Sequence, residues 1–97
     1  MSLTGKQRNY LRGLAHHLKP VIMVGDAGVT QAVLEGIKQA LEHHELLKIK
    51  LRVGDRADRR AAFENICDDT GAEVVQEIGQ IAVLFKPANE PKIKLPA

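Results

Sequence analysis

The feature that most constrains this chain is the run Lys19-Pro20-Val21-Ile22-Met23-Val24-Gly25-Asp26-Ala27-Gly28-Val29-Thr30. Proline stops a preceding helix, and the four apolar residues after it read as a central strand buried on both faces. A loop with glycine at each end follows. Thr30 then reads as the N-cap of a helix, with Val29 and Leu34 placed as a hydrophobic staple. Glycines at these positions let the backbone turn sharply and bring its N–H groups close to a ligand. The helix start adds unpaired donors and the positive end of a dipole, so a phosphate can sit here. A tight turn without a ligand explains the same glycines, and Asp26 sets a negative charge in the loop itself.

The rest of the chain supplies elements on either side. Thr4 caps a first helix to about His16, with Leu3, Tyr10, Leu11, Leu14 and Leu18 as an imperfect apolar stripe. The helix after the loop carries Val33, Leu34, Ile37, Ala40 and Leu41 on one face and ends near His43. From Leu46 to Val53, Leu47, Ile49, Leu51 and Val53 point one way while Lys48, Lys50 and Arg52 point the other, the alternation of a strand. Asp55 or Asp58 caps a third helix, with Ala62, Phe63, Ile66 and Cys67 inward and Gly71 as its stop. Glu73–Ile78 and Ile81–Lys86 form a hairpin whose Gly79-Gln80 turn has the glycine-first pattern of type II′. Pro87 to Ala97 reads as an extended tail.

The order α-β-α-β-α-β-β defines a single α/β (α+β) domain over residues 1–97, with three helices and a four-stranded mixed sheet. If the helices share one face, the other is an open surface carrying Lys48, Lys50 and Arg52. Glu73 and Glu77 offer those lysines cross-sheet partners, which is the plain alternative to a binding face.

Charge is segregated along the chain. Residues 1–60 hold 11 Lys/Arg against 6 Asp/Glu, residues 61–85 hold 5 acids and no Lys/Arg, and the last twelve hold 3 lysines and one glutamate. A basic face, as a polyanion binder needs, is compatible with the modest net charge of +2. With three aromatics, Tyr10, Phe63 and Phe85, the chain lacks the platforms of stacking-based RNA readers. The glycine loop is neither a Walker A nor a dinucleotide fingerprint. A short G-x-x-G backbone clamp remains, although in KH domains such a loop joins two helices.

Catalytic parts are missing. Ser2 is the sole serine. Asp68 and Asp69 diverge by about 100° on a helix, and the pairs His16-His17 and His43-His44 suit helix ends. Cys67, the only cysteine, excludes an intrachain disulfide and reads as a core residue. No zinc-site spacing, signal peptide or membrane-length apolar run is present, so the expectation is a cytoplasmic, non-enzymatic protein without cofactor or metal.

Three ordered blocks resemble the CRM domain (chloroplast RNA splicing and ribosome maturation), most closely its bacterial stand-alone YhbY-type form. They are Leu18 to Thr30, Leu41-Glu42-His43-His44-Glu45-Leu46-Leu47-Lys48-Ile49-Lys50, and Thr70-Gly71-Ala72 with Ile78 to Lys86; Lys92-Ile93-Lys94-Leu95-Pro96 also fits. The resemblance implies a fold related to the C-terminal domain of translation initiation factor three. It also implies RNA binding through the glycine loop and adjoining basic surface, with ribosomal RNA of precursor large subunits as the bacterial partner. Lys86 stands where the family has arginine, and Asp26 makes the loop less basic than in the splicing members.

The resulting expectation is a monomeric RNA-binding protein. The backbone of Gly25, Asp26, Ala27 and Gly28 with the helix start at Thr30 would cradle a phosphate, and Lys6, Arg8, Arg12, Lys19, Lys48, Lys50 and Lys86 would supply the field. The alternative is a protein-interaction module docking on a ribosomal protein or assembly factor.

Overall fold

The computed structural model describes residues 2–52 and 54–97. Its elements follow the expected order: α1 (Gly5–Ala15), β1 (Pro20–Val24), α2 (Gln31–His44), β2 (Leu46–Leu51), α3 (Arg56–Thr70), β3 (Glu73–Ile78) and β4 (Ile81–Phe85).

Local chemistry sets the boundaries. Thr4 and Gln7 exchange side-chain-to-backbone hydrogen bonds of 3.1 and 3.0 Å at the start of α1. Thr30 Oγ1 accepts from Val33 N at 3.2 Å to open α2. Asp55 is the cap of α3, and Asp58 completes a reciprocal box with it. Gly71 ends α3 at φ +82°, in the left-handed region that favours glycine. Gly79, at φ +56° and followed by a residue of negative φ, closes the hairpin between the paired Ile78 and Ile81. Val53, expected at the end of the second strand, lies outside the described residues.

The strand order is β1-β2-β4-β3. β1 runs parallel to β2 across α2, while β4 is antiparallel to both β2 and β3. β3 therefore points the same way as β2, and the α3 crossover steps over the slot that β4 fills. On one side of the sheet, Leu34, Ile37 and Leu41 of α2 and Phe63 and Ile66 of α3 pack on Leu47, Ile49, Leu51, Ala82 and Leu84. Each fully buried Leu, Ile or Phe among them contributes about 1.5–3 kcal/mol.

Three expectations are corrected. First, the helices do not share one face: Leu11 and Ala15 of α1 pack with Leu3 on Leu46, Val75, Val83 and Phe85 on the opposite side. A helix that carries its own apolar line needs its own surface, and the outward residues of β3 and β4 provide one. Second, Tyr10 and Leu14 are 42% exposed and Leu18 is also exposed. They flank the Leu11–Ala15 line rather than share it. Third, β1 is an edge strand, not a central one. Ile22 and Val24 face the α2 side, but Val21 is 54% and Met23 58% exposed because α1 lies over the other strands.

The tail from Pro87 to Ala97 carries no regular structure and is docked on the fold. Ala88 is buried, Ile93 and Leu95 pack beneath α1, and Gln7 Nε2 donates to Pro96 O at 3.1 Å. Glu45 anchors it. This residue is 1% exposed and caps α2 at φ +61°. Its carboxylate accepts from Ala88 N (2.9 Å), Lys92 N (3.0 Å) and Ile93 N (2.9 Å).

Candidate nucleic-acid interface

The loop after β1 is a tight turn. Gly28 N donates to Gly25 O at 2.9 Å, and the corner residues Asp26 and Ala27 have negative φ. Gly28 sits at φ +74°, so its glycine is required by the backbone. Gly25 is different. Its φ is ordinary, and among the described residues nothing lies within 4 Å of where a Cβ would stand. No contact among the described residues calls for glycine at 25.

The Gly28 N–H is committed to the turn and that of Val33 to Thr30. Among the described residues, the N–H groups of Asp26, Ala27, Gln31 and Ala32 have no acceptor. The first turn of α2 also carries no acid to offset the helix dipole.

Beside the loop lies the part of the sheet that α1 leaves uncovered. Met23 is the register partner of Lys50, and Arg52 Nη1 stands 3.8 Å from Met23 Sδ. Met23, Gly25, Asp26 and Arg52 line an open cleft of about 430 Å³. Further along the same face, Lys48 joins Arg12, His16, Gln76 and Ile78 around a second cleft of about 240 Å³.

The acids expected to neutralise this face are elsewhere. β4 separates β2 from β3, Glu77 turns toward α3, where Arg60 Nε is 3.9 Å from it, and Glu73 pairs with Phe85 at the Leu46 end of the sheet, away from Lys50 and Arg52. None of the ion pairs among the described residues involves Lys48, Lys50 or Arg52.

The structure thus brings together Gly25 and Asp26 of the loop with Arg52, Met23 and its register partner Lys50, with Lys48 and Arg12 further along the same face; Thr30 ends the loop as the N-cap of α2. Lys6 and Lys19 are exposed at the starts of α1 and β1. Arg8 is turned inward, its Nη1 donating to the carbonyls of Val74 and, at 3.4 Å, Val75. Lys86 Nζ donates to Thr70 O at 2.8 Å, capping α3. It follows Phe85, which pairs with Leu46, whereas the loop follows Val24, which pairs with Leu51. Five strand steps of about 3.3 Å separate those ends, roughly 17 Å.

Sequence reasoning omitted Arg52 from the site and overlooked Arg56, Arg59 and Arg60. Their i, i+3, i+4 spacing was legible, but only the strand order brings the start of α3 to the loop's end of the sheet. Cys67 is half-buried; burial chiefly, with Asp68, Glu73 and Glu64, pushes its thiol up to about 11. Among the described residues, no group of three or more His, Cys, Asp or Glu is placed to hold a metal ion, and no helix is long and apolar enough to cross a membrane.

Proteins of known sequence and structure share this architecture. The RNA-binding protein of Haemophilus influenzae is 47% identical over 95 residues, covering 98% of this chain and 96% of that one. The Bacillus subtilis protein YqeI is 39% identical over 95 residues, covering 97% and 99%. The solution structure of a hypothetical protein from Staphylococcus aureus superposes with a TM-score of 0.84 at 35% identity, covering 98% of this chain and 100% of that one. The family model of the CRS1 / YhbY (CRM) domain matches residues 3–86, and the chain belongs to that family.

Proposed function

We propose that the protein is a non-catalytic, monomeric, cytoplasmic RNA-binding protein that associates with ribosomal RNA while large subunits are assembled. The carrying observation is Gly25: a glycine that no contact among the described residues requires, at the rim of a turn with N–H donors that have no acceptor among those residues, and beside Arg52 and Lys50. A missing Cβ there lets a sugar-phosphate backbone approach the chain, as in a G-x-x-G clamp. Lys48, Lys50, Arg52 and Arg12 supply the surrounding field, and the exposed Lys6 and Lys19 extend it; Arg8 and Lys86, tied to the carbonyls of Val74 and Thr70, take no part in it. The name of the Haemophilus relative supports RNA as the partner.

Crosslinking the protein to RNA in cells and sequencing the attached fragments tests this. Precursors of large-subunit ribosomal RNA should dominate the reads; a spread across transcripts in proportion to abundance contradicts it.

A second reading is favoured by the exposed Val21 and Met23 on an edge strand, where another protein can add a strand or an apolar contact. Titration with naked ribosomal RNA separates the two, because only RNA contact gives salt-sensitive binding without protein present.

A further inference from the structure

We propose that Arg56 and Arg60 form a second phosphate-contact surface, so that bound RNA continues from the glycine loop around the end of the sheet onto α3. This rests on the RNA-binding reading above. Three elements meet at that end. Arg52 N donates to Val24 O at 2.9 Å, tying the exit of β2 to the exit of β1, where the loop begins. Leu51 N donates to Gln80 O at 2.8 Å, bringing in the β3–β4 turn. α3 then starts at Arg56.

Arg56, Arg59 and Arg60 occupy one helical face, and with Glu77 and Gly79 they line a cleft of about 290 Å³. Arg56 and Arg60 also line, with Ala57, a neighbouring cleft of about 350 Å³.

For the free protein this is an unfavourable arrangement. Cations near a helix N-terminus oppose its dipole, and like charges at i, i+3 and i, i+4 repel. Asp55 and Asp58, whose carboxylates accept each other's backbone N–H, offset two of the three positive charges and leave residues 55–60 at +1. Glu77 stands 3.9 Å from Arg60, whose side chain is 61% exposed. Arg59 is partly tied, its Nη1 donating to Gly54 O at 3.0 Å. Arg56 and Arg60 are left facing solvent. Local violations of this kind concentrate at functional sites, and a chain of phosphates removes the repulsion while using the planar guanidinium forks.

The test compares wild type with the double variant Arg56→Gln/Arg60→Gln. Fluorescence anisotropy follows a labelled single-stranded oligouridine between about 50 and 200 mM salt, where binding through phosphates is most salt-sensitive, and the free protein is melted in parallel. The double variant should bind severalfold more weakly, with the slope of log K against log salt shallower by about 0.7 for each phosphate that the arginines no longer neutralise. Its melting midpoint should hold or rise.

An unchanged slope and affinity would overturn the proposal while leaving the RNA reading intact, as would a lowered melting midpoint, which would make the arginines structural. Unchanged RNA binding together with loss of polyglutamate binding would assign the surface to an acidic protein. Wild type that shows no salt-sensitive RNA binding removes both readings.

Discussion

The Glu45 carboxylate accepts the backbone N–H of Ile93 at 2.9 Å, and through this contact a buried acid at the end of α2 holds the C-terminal segment against α1. The same carboxylate takes Ala88 N and Lys92 N, while its backbone oxygen takes Lys86 N at 2.9 Å. Glu45→Ala leaves three donors without an acceptor and should cost about 3 kcal/mol, since each orphaned group costs roughly 1–3 kcal/mol before the tail peels into water. Glu45→Gly should be milder by about 1 kcal/mol, because position 45 has φ +61°. Urea unfolding of both variants checks the pair.

Acid should release the same segment. Burial works to raise the Glu45 pKa, but the N–H groups of Ala88, Ile93 and Lys92 and the Lys92 charge more than offset it, leaving the carboxyl below its ordinary value. The folded state then binds fewer protons than the unfolded one. The resulting stability is fully present above the unfolded value of about 4.3 and is lost as pH falls through the lower folded value. Unfolding free energy measured across this acid range should drop more steeply for wild type than for Glu45→Gln.

Lys86 has a structural task that separates it from the loop. Its ammonium sits on Thr70 O at the C-terminus of α3, where cations complement the dipole. Lys86→Met should lower stability by about 1 kcal/mol. It should also shift the salt dependence of RNA binding less than Lys50→Met does. Thermal melts and salt titrations of the two variants give the comparison.

Cys67 should behave as a core thiol. With its pKa pushed up to about 11, chiefly by burial, roughly one molecule in a thousand carries the thiolate at pH 8. Alkylation by iodoacetamide should be slow in buffer and fast in denaturant.

Element order, both crossovers, the caps and the main core were legible in the sequence because apolar periodicity and Thr30, Asp55, Gly71 and Gly79 each encode a local choice. What the sequence hid depends on strand order. Val21 to Val24 is as apolar as a central strand, yet β2-β4-β3 all lie to one side of it, and α1 is positioned over Leu46, Val83 and Phe85 rather than over Met23. Glu73 and Glu77 looked like partners for Lys48 and Lys50 until β4 came between them. Glu45 stood in the sequence only as one residue of the block Leu41 to Lys50, with no role of its own. Only the fold shows three backbone donors converging on it from more than forty positions away.

The most direct test of the loop's role is Gly25→Ala. Gly28→Val confounds strain at φ +74° with a blocked approach to the backbone, whereas Gly25 has an ordinary φ and no described residue within 4 Å of its missing Cβ. The alanine protein should unfold at the wild-type temperature and bind ribosomal RNA about tenfold more weakly, near 1.4 kcal/mol. An alanine variant that folds normally and binds with wild-type affinity would contradict the assignment of this loop as the RNA backbone clamp.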